Sequence, residues 1–213
     1  MLEKKTNRML SKMVSEKIIL SKKTASLFLF ILFCFFTACN SDKNKADESP
    51  VFKKLLSSHS GITFNNVVDE NYEKNNFDRF AYVYNGGGVA TGDINNDGLT
   101  DIYFTGNDVP NKLYLNQGNL KFKDITASAG VDGSKGWDNG VTLVDINNDG
   151  FLDIYVCKGG EPGAAEIERT NLLFVNQGDL TFKEQAKEFG LDEKGYSIHA
   201  AFFDMDNDND LDV

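Results

Sequence analysis

The chain has 213 residues, 41% of them apolar, which is enough for one or two domains with a buried core. Acidic residues outnumber basic ones by 32 to 22, and the first 38 residues hold seven basic and two acidic residues, so the rest carries 15 basic and 30 acidic residues, a net charge of −15 (15 − 30). Such a surface repels phosphates, which excludes nucleic acid as a partner, and it suits cation binding.

The N-terminus has the pattern of a secretory signal peptide, predicted over residues 1–38. Basic residues crowd the first 23 positions, and the uncharged stretch Ala25–Ala38 follows. Its 14 residues are too few for a membrane-spanning helix, which needs about 20. The sequence leaves open whether translation starts at Met1, Met9 or Met13.

The signal ends in FTAC, which resembles the lipobox of bacterial lipoproteins. The resemblance implies that the Cys39 thiol is acylated and that a lipid alone anchors the chain to a membrane. An ordinary signal peptide that contains a cysteine is the alternative. Residues 39–55 are polar without apolar periodicity and predict a disordered tether. Their acidic, Ser-containing start resembles surface-export signals of Bacteroidetes lipoproteins, so we expect a bacterial cell-envelope protein, anchored in the outer membrane and exposed at the surface.

An internal repeat follows the tether and defines the third predicted region, residues 56–213. DINNDG occurs at Asp93–Gly98 and again at Asp145–Gly150, and a degenerate copy, DMDNDNDLD, begins at Asp204. Between these words, Asn111–Val131 aligns without gaps to Asn171–Leu191. A fixed order of words at such spacing is the signature of a repeat architecture.

Each repeat contains four short strand candidates. In the first they are GVATGD, DIYFTG, KLYLN and LKFKDI, the last with Leu120 and Phe122 alternating with lysines. Four strands per unit are typical of a β-propeller blade. The predicted fold is therefore all-β, a partial β-propeller of about two and a half four-stranded blades. Gly61–Val68 is one more strand candidate, and the third unit stops in mid-blade at Val213, which suggests a fragment or truncated product with an aggregation-prone edge.

The acidic words predict calcium sites. Short oxygen-bearing side chains at alternate positions of a tight loop converge on one point, and a glycine at position 6 permits the sharp turn. The first predicted site consists of Asp93, Asn95, Asp97 and Asp101. The second consists of Asp145, Asn147, Asp149 and Asp153. The third consists of Asp204, Asp206, Asp208 and Asp212.

These words are not EF-hands, because position 12 is Phe104 in the first copy and Val156 in the second, where that loop needs Glu. Hairpin turns rich in Asp and Asn without metal are the alternative, although three copies in register argue against it. We expect Kd values of about 10⁻⁴–10⁻³ M for extracellular modules of this kind. The third site should be the weakest, because its hairpin ends one residue after Asp212.

The words YNGGGVATGDINNDG, NKLYLNQG and RTNLLFVNQG are similar to the FG-GAP/VCBS repeat family, in particular to a bacterial subset related to UnbV/ASPIC and cartilage acidic proteins. The resemblance covers roughly Gly61–Val213 and implies a calcium-binding β-propeller. It implies a binding or adhesion module for protein or glycan at the cell surface. The chain departs from the family in lacking further blades.

An enzyme is the less favoured alternative. The two histidines, His59 and His199, suit structural roles, and no nucleophile elbow occurs. A calcium-dependent polysaccharide lyase would need basic residues near its substrate, and only Arg79, Arg169 and scattered lysines are available. No catalytic residue is predicted. Trp137 is expected to pack rather than to bind, and Cys157 to be a small buried hydrophobic residue.

Overall fold

The computed structural model describes residues 52–73, 75–133, 136–160, 163–208 and 210–213. The predicted signal peptide, Cys39 and most of the tether lie outside the described residues. Lys54–Val213 forms one compact unit. Within the described ranges, no helix is both long enough and apolar enough to cross a bilayer.

Two antiparallel four-stranded sheets make up the unit, each with its strands in chain order. The first sheet contains β1 (Val89–Gly92), β2 (Asp101–Phe104), β3 (Lys112–Asn116) and β4 (Phe122–Asp124). The second contains β5 (Trp137–Val144), β6 (Asp153–Gly159), β7 (Leu172–Asn176) and β8 (Phe182–Glu184). One-turn helices occur at α1 (Ser57–Ser60), α2 (Thr126–Ala129) and α3 (Glu166–Arg169). The prediction of an all-β chain with two four-stranded repeats is confirmed, and the sheets form part of a propeller that is not closed.

The repeated words adopt the same register in both sheets. Tyr103 pairs with Leu113 in the first sheet, and Tyr155 pairs with Leu173 in the second. A third repeat begins in the same way, with an isolated antiparallel bridge between Phe203 and Asp212. The sequence repeat is therefore a structural repeat, because equal side-chain patterns select equal strand registers.

Two strand predictions are wrong. Leu120 does not lie in β4 but in the preceding turn, at φ 56°, because the hairpin NQGNL places left-handed residues before the strand. Gly61–Val68 forms no strand. It packs along the first sheet instead, with Phe64 stacked on Phe104 at 5.0 Å between ring centroids, and the Thr63 N–H donating to the Tyr114 hydroxyl at 3.2 Å.

The main core lies between the two sheets. Residues of the first sheet such as Tyr103 and Leu113 share one cluster with Ile154 and Phe174 of the second. A second cluster on the far face of β6 and β7 packs against Phe202 and Ala200 of the third repeat. The second sheet is thus covered on both faces.

The first strands of successive repeats approach closely, and glycines permit this. A Cβ on Gly88 would lie 2.7 Å from the Asn139 carbonyl oxygen. A Cβ on Gly140 would lie 2.5 Å from the Ile198 carbonyl oxygen. No L side chain tolerates such contacts, so the glycine of GVA and GVT sets the distance between neighbouring repeats.

Candidate functional site

Each acidic word forms the loop between the first two strands of its repeat. In the first loop, the Asp93 carboxylate accepts hydrogen bonds from the backbone N–H of Asp97 at 3.1 Å and of Gly98 at 2.7 Å. Asp145 accepts the corresponding bonds from Asp149 at 3.0 Å and Gly150 at 2.9 Å. The first acid of the word therefore closes the loop on itself, as in an Asx turn.

The asparagine at position 4 of each word has a role that the sequence interpretation missed. Asn96, Asn148 and Asn207, at loop position 4, adopt left-handed backbone conformations with φ of 59°, 55° and 63°. Asparagine tolerates this conformation better than most residues. The signal was available in the sequence as the same residue at position 4 of all three words.

The late acids of the first two loops, at position 9, are buried at the base of the loops. The Asp101 carboxylate accepts the Ile94 N–H at 3.0 Å and the Asn116 N–H at 2.7 Å. Asp153 accepts the corresponding Ile146 and Asn176 N–H groups at 3.0 and 2.8 Å. Each late acid thus ties the start of the loop to the end of the third strand, a structural role in addition to the predicted one. A carboxylate has about four lone-pair sites, so two remain for a cation.

Burial raises the pKa of Asp101, the charges of Asp97 and Asp93 add to the rise, and the hydrogen bonds from Asn116 and Ile94 oppose it. Burial likewise raises the pKa of Asp153. At Asp93, desolvation acts to raise the pKa, but the surrounding backbone N–H groups outweigh it, and the pKa is lowered. The loops therefore gather carboxylates whose charges are only partly compensated, which is the situation that a cation relieves.

The donor set of the first loop fits Ca²⁺. The Asn95 side-chain oxygen is buried and has no hydrogen-bond partner among the residues that the structure describes, whereas its amide nitrogen donates to Asp97 at 3.0 Å. An unpartnered buried oxygen is costly unless something binds it. Carboxylate and amide oxygens at loop positions 1, 3, 5 and 9 are ligands that Ca²⁺ prefers, and the divalent charge would neutralise the carboxylates. Which residues ligate stays a prediction for all three loops.

The third loop concentrates more acid. Among the described residues, Asp204, Asp206 and Asp208 form the cluster of three acidic side chains whose oxygens lie within 4.8 Å of one another. In the first two loops position 3 is Asn95 or Asn147, so an amide replaces one of these carboxylates. Asp212 accepts the Met205 N–H at 2.8 Å, as Asp101 and Asp153 accept theirs.

A groove lies at the ends of the first strands that are opposite the acidic loops. In the first repeat the groove precedes β1, whereas the acidic loop follows β1. Its volume is about 830 Å³, within the range of small-ligand sites. The rings of Phe77, Tyr82 and Tyr196 line it and are 60%, 61% and 54% exposed. Glycines of both repeats form much of the remaining wall, and Asp78 and Arg79 contribute one charge of each sign. The sequence interpretation did not find this groove, because its aromatic residues belong to no repeated word.

Trp137 lies near the groove but is buried. It is 7% exposed and packs edge-on against Phe80 with ring centroids 5.0 Å apart. The prediction that Trp137 is a packing residue is confirmed. Trp137 therefore supports the groove wall through Phe80, while the rings of Phe77, Tyr82 and Tyr196 are exposed in the groove.

These features define a repeat protein in which a loop of the Asx type joins the first two strands of each four-stranded unit. Residues 93–156 match the family model of the FG-GAP-like repeat. The chain is 36% identical to cartilage acidic protein 1 of Mus musculus over 129 residues, which is 60% of this chain and 19% of that protein. It is 35% identical to the Xenopus tropicalis protein and 33% identical to the Homo sapiens protein of the same name, each over 132 residues, or 61% of this chain and 19% of each relative.

Residues 93–156 match the FG-GAP-like repeat, and the predicted likeness of the chain to this family and to cartilage acidic protein is confirmed. It spans about one fifth of the length of these relatives. Neither the family description nor the names of the relatives denote a catalytic activity. The comparisons support a repeat-containing binding module.

Proposed function

We propose that this chain is the calcium-binding part of a lipid-anchored cell-envelope protein that binds a glycan without catalysis. The observation that carries the calcium assignment is the buried, unpartnered Asn95 oxygen inside a loop of carboxylates. Calcium bound in such a loop would neutralise its carboxylates and hold the first two strands of that repeat together. The residues of the first two loops would act as equivalent sites.

Calorimetric titration of the full chain with calcium chloride tests this assignment. We expect binding with Kd of about 10⁻⁴–10⁻³ M, lost in part by Asp93→Ala and in part by Asp145→Ala. Asp179→Ala is the matched control, because Asp179 is an exposed hairpin aspartate that bonds to Thr181 outside the three loops. Equal calcium binding by all variants would contradict the assignment.

The ligand site that we propose is the groove, and its occupant is a neutral oligosaccharide. Exposed aromatic rings offer flat faces to sugar rings, and exposed glycines leave backbone polar groups within reach of hydroxyls. The opposite charges of Asp78 and Arg79 balance, while the acidic surface around them disfavours an anionic glycan. The groove is separated from the first metal loop by the length of β1, about 13 Å for four residues, so calcium would support the site rather than contact the sugar.

A pair of tyrosines two residues apart tests the groove. Tyr82 lines it, whereas Tyr84 is equally exposed, lies outside it and donates to Glu70 at 2.7 Å. A screen of neutral oligosaccharides should identify a ligand whose affinity falls in Tyr82→Ala and not in Tyr84→Ala. Binding that tolerates Tyr82→Ala, or binding of a protein at this surface instead, would contradict the glycan proposal.

The anchor is proposed on the sequence FTAC alone. Mass spectrometry of the mature N-terminal peptide should find Cys39 as the first residue, with lipid attached. An unmodified Cys39 or cleavage elsewhere would contradict a lipid anchor and with it the outer-membrane location.

A further inference from the structure

We infer that Asn176 couples the first two metal loops, so that calcium in the second loop raises the calcium affinity of the first. The inference rests on the proposed calcium binding. Asn176 ends β7 in the second repeat, and it is 3% exposed. Its backbone and side chain take part in the base of both loops at once.

The hydrogen bonds form one continuous chain from loop to loop. The Asn176 backbone N–H donates to Asp153, the late acid of the second loop, at 2.8 Å. The Asn176 amide donates to the Ile94 carbonyl, inside the first loop, at 2.8 Å. The Ile94 N–H, on the other side of the same residue, donates to Asp101, the late acid of the first loop, at 3.0 Å.

Asn116 occupies the same position in the first repeat and shows what is particular to Asn176. Its N–H donates to Asp101 at 2.7 Å, and its amide donates to the Thr100 carbonyl at 2.8 Å. Asn176 makes the equivalent amide bond to the Leu152 carbonyl at 3.1 Å and adds the bond to Ile94. The cross-repeat bond is therefore added to an interaction that both residues make within their own repeat.

The direction of the coupling follows from what calcium would fix. A cation held by Asp153 restrains this carboxylate and with it the Asn176 N–H. The restrained Asn176 amide then holds the Ile94 carbonyl, and through the Ile94 backbone it limits the movement of the N–H that bonds Asp101. The first loop therefore loses less conformational entropy when it binds its own cation. A second cross-repeat bond, from the Asn96 amide to the Gly150 carbonyl at 2.9 Å, is exposed and competes with water, so it should contribute less.

Calorimetry on variants of the full chain tests the coupling, with Asp204→Ala present throughout to remove the third loop. We expect the first loop to bind calcium about fivefold more weakly when Asp145→Ala blocks the second loop, at the low end of measured couplings. In the Asn176→Ala background this difference should shrink to less than about twofold. Asn116→Ala is the matched control, because it removes the intra-repeat bond and leaves the Asn176 bridge in place.

A second measurement needs no change at Asn176. In the Asp204→Ala background, adding Asp93→Ala disables the first loop and leaves only the second loop to bind calcium, and we expect the backbone amide resonances of Ile94 and Asp101 to shift on titration. Adding Asp145→Ala to these two substitutions should abolish the shift. Calcium binding to both loops with independent affinities and unshifted amides would overturn the coupling alone. No calcium binding by the unmodified chain would overturn the proposed function itself.

Discussion

The first and second repeats share their words and their strand register, but they differ in what covers them. β2 alternates between buried and half-buried residues, whereas all seven residues of β6 are buried. The cause is position, because the second sheet packs against the first sheet on one face and against the third repeat on the other. The local sequence therefore sets the strands of each sheet, while the neighbouring repeats determine which substitutions each sheet tolerates.

The two repeats also differ in sequence at the end of their second strand, β2 in the first repeat and β6 in the second. Thr105 and Gly106 end the DIYFTG word, and Cys157 and Lys158 stand in their places in the second repeat. Lys158 is fully buried, and its ammonium lies 2.7 Å from Asp138 and donates to the Gly133 carbonyl at 3.1 Å. Asp138 also accepts the Asn111 amide at 2.6 Å, so the pair joins the two repeats.

The largest effect should come from removing that buried cation. Lys158→Ala leaves the Asp138 carboxylate buried without its charge partner, and we expect a loss of about 3–5 kcal/mol in the free energy of unfolding. Lys112→Ala is the control, since the exposed pair of Lys112 and Asp124 at 2.8 Å should contribute less than about 1 kcal/mol. Urea unfolding of both variants measures the difference, and similar losses would contradict the distinction.

The same variant has a pH signature. Burial raises the pKa of Asp138 even with Lys158 beside it, and removing the cation should raise this pKa further. A carboxyl with a raised folded-state pKa contributes stability that is present below its unfolded pKa and lost as the pH rises through the folded one. The deficit of Lys158→Ala should therefore be smaller at about pH 4 than at about pH 7. A deficit independent of pH would mean that lost packing, not charge, destabilises the variant.

Calcium removal should act on both repeats alike. A ligand that binds only the folded chain stabilises it by about 2.7 kcal/mol per site at a concentration of about 100 times Kd. We expect a chelator to remove this stabilisation, and Asp93→Ala and Asp145→Ala each to remove one part of it. Thermal unfolding with calcium or chelator measures the effect. Loss in only one repeat would show that equal words do not make equal sites.

The Thr105 and Cys157 pair gives a smaller effect. The Thr105 hydroxyl accepts the Gly88 N–H and donates to the Asn139 carbonyl, so it joins the first strands of two repeats. Thr105→Val removes these bonds and should cost about 1–3 kcal/mol. Cys157 is buried in an apolar cluster, and burial raises the pKa of its thiol to about 11. Cys157→Val should cost less than about 1.5 kcal/mol. The opposite order, measured by urea unfolding, would contradict the assigned roles.

Much of the fold could be predicted because the sequence contains the same pattern of strands and loops twice. The words DIYF and DIYV each predicted the second strand of a repeat, and the same alignment predicted that Asp93 and Asp145 begin the loops. Residues outside the repeat could not be placed in this way. Phe77 and Tyr82 reach the groove through a segment without periodicity. Nothing in the sequence indicated that Lys158 is buried, because a lysine near the end of a strand is ordinarily solvated. Its Asp138 partner, distant in sequence, makes the burial tolerable.

The smallest expected effect is a difference in calcium affinity between the third loop and the first two. The number of charges favours tighter calcium binding by the third loop, since this loop places three carboxylates with oxygens within 4.8 Å of one another. Pre-organisation favours the others, since Asp101 and Asp153 each accept a second N–H from the end of a third strand. For Asp212, the described contacts include only the Met205 N–H and the bridge to Phe203.

We expect pre-organisation to outweigh charge, because the Ca²⁺ affinity of a loop depends on its rigidity as well as on its ligand charge. The third loop should bind about threefold more weakly, or about 0.7 kcal/mol. Calorimetry on three variants, each retaining one loop through paired Asp→Ala substitutions at Asp93, Asp145 and Asp204, gives the three affinities separately. Tightest binding by the third loop would mean that a fourth carboxylate outweighs the second N–H bond that Asp101 and Asp153 accept. Acid content rather than the sheet would then set affinity in these repeats.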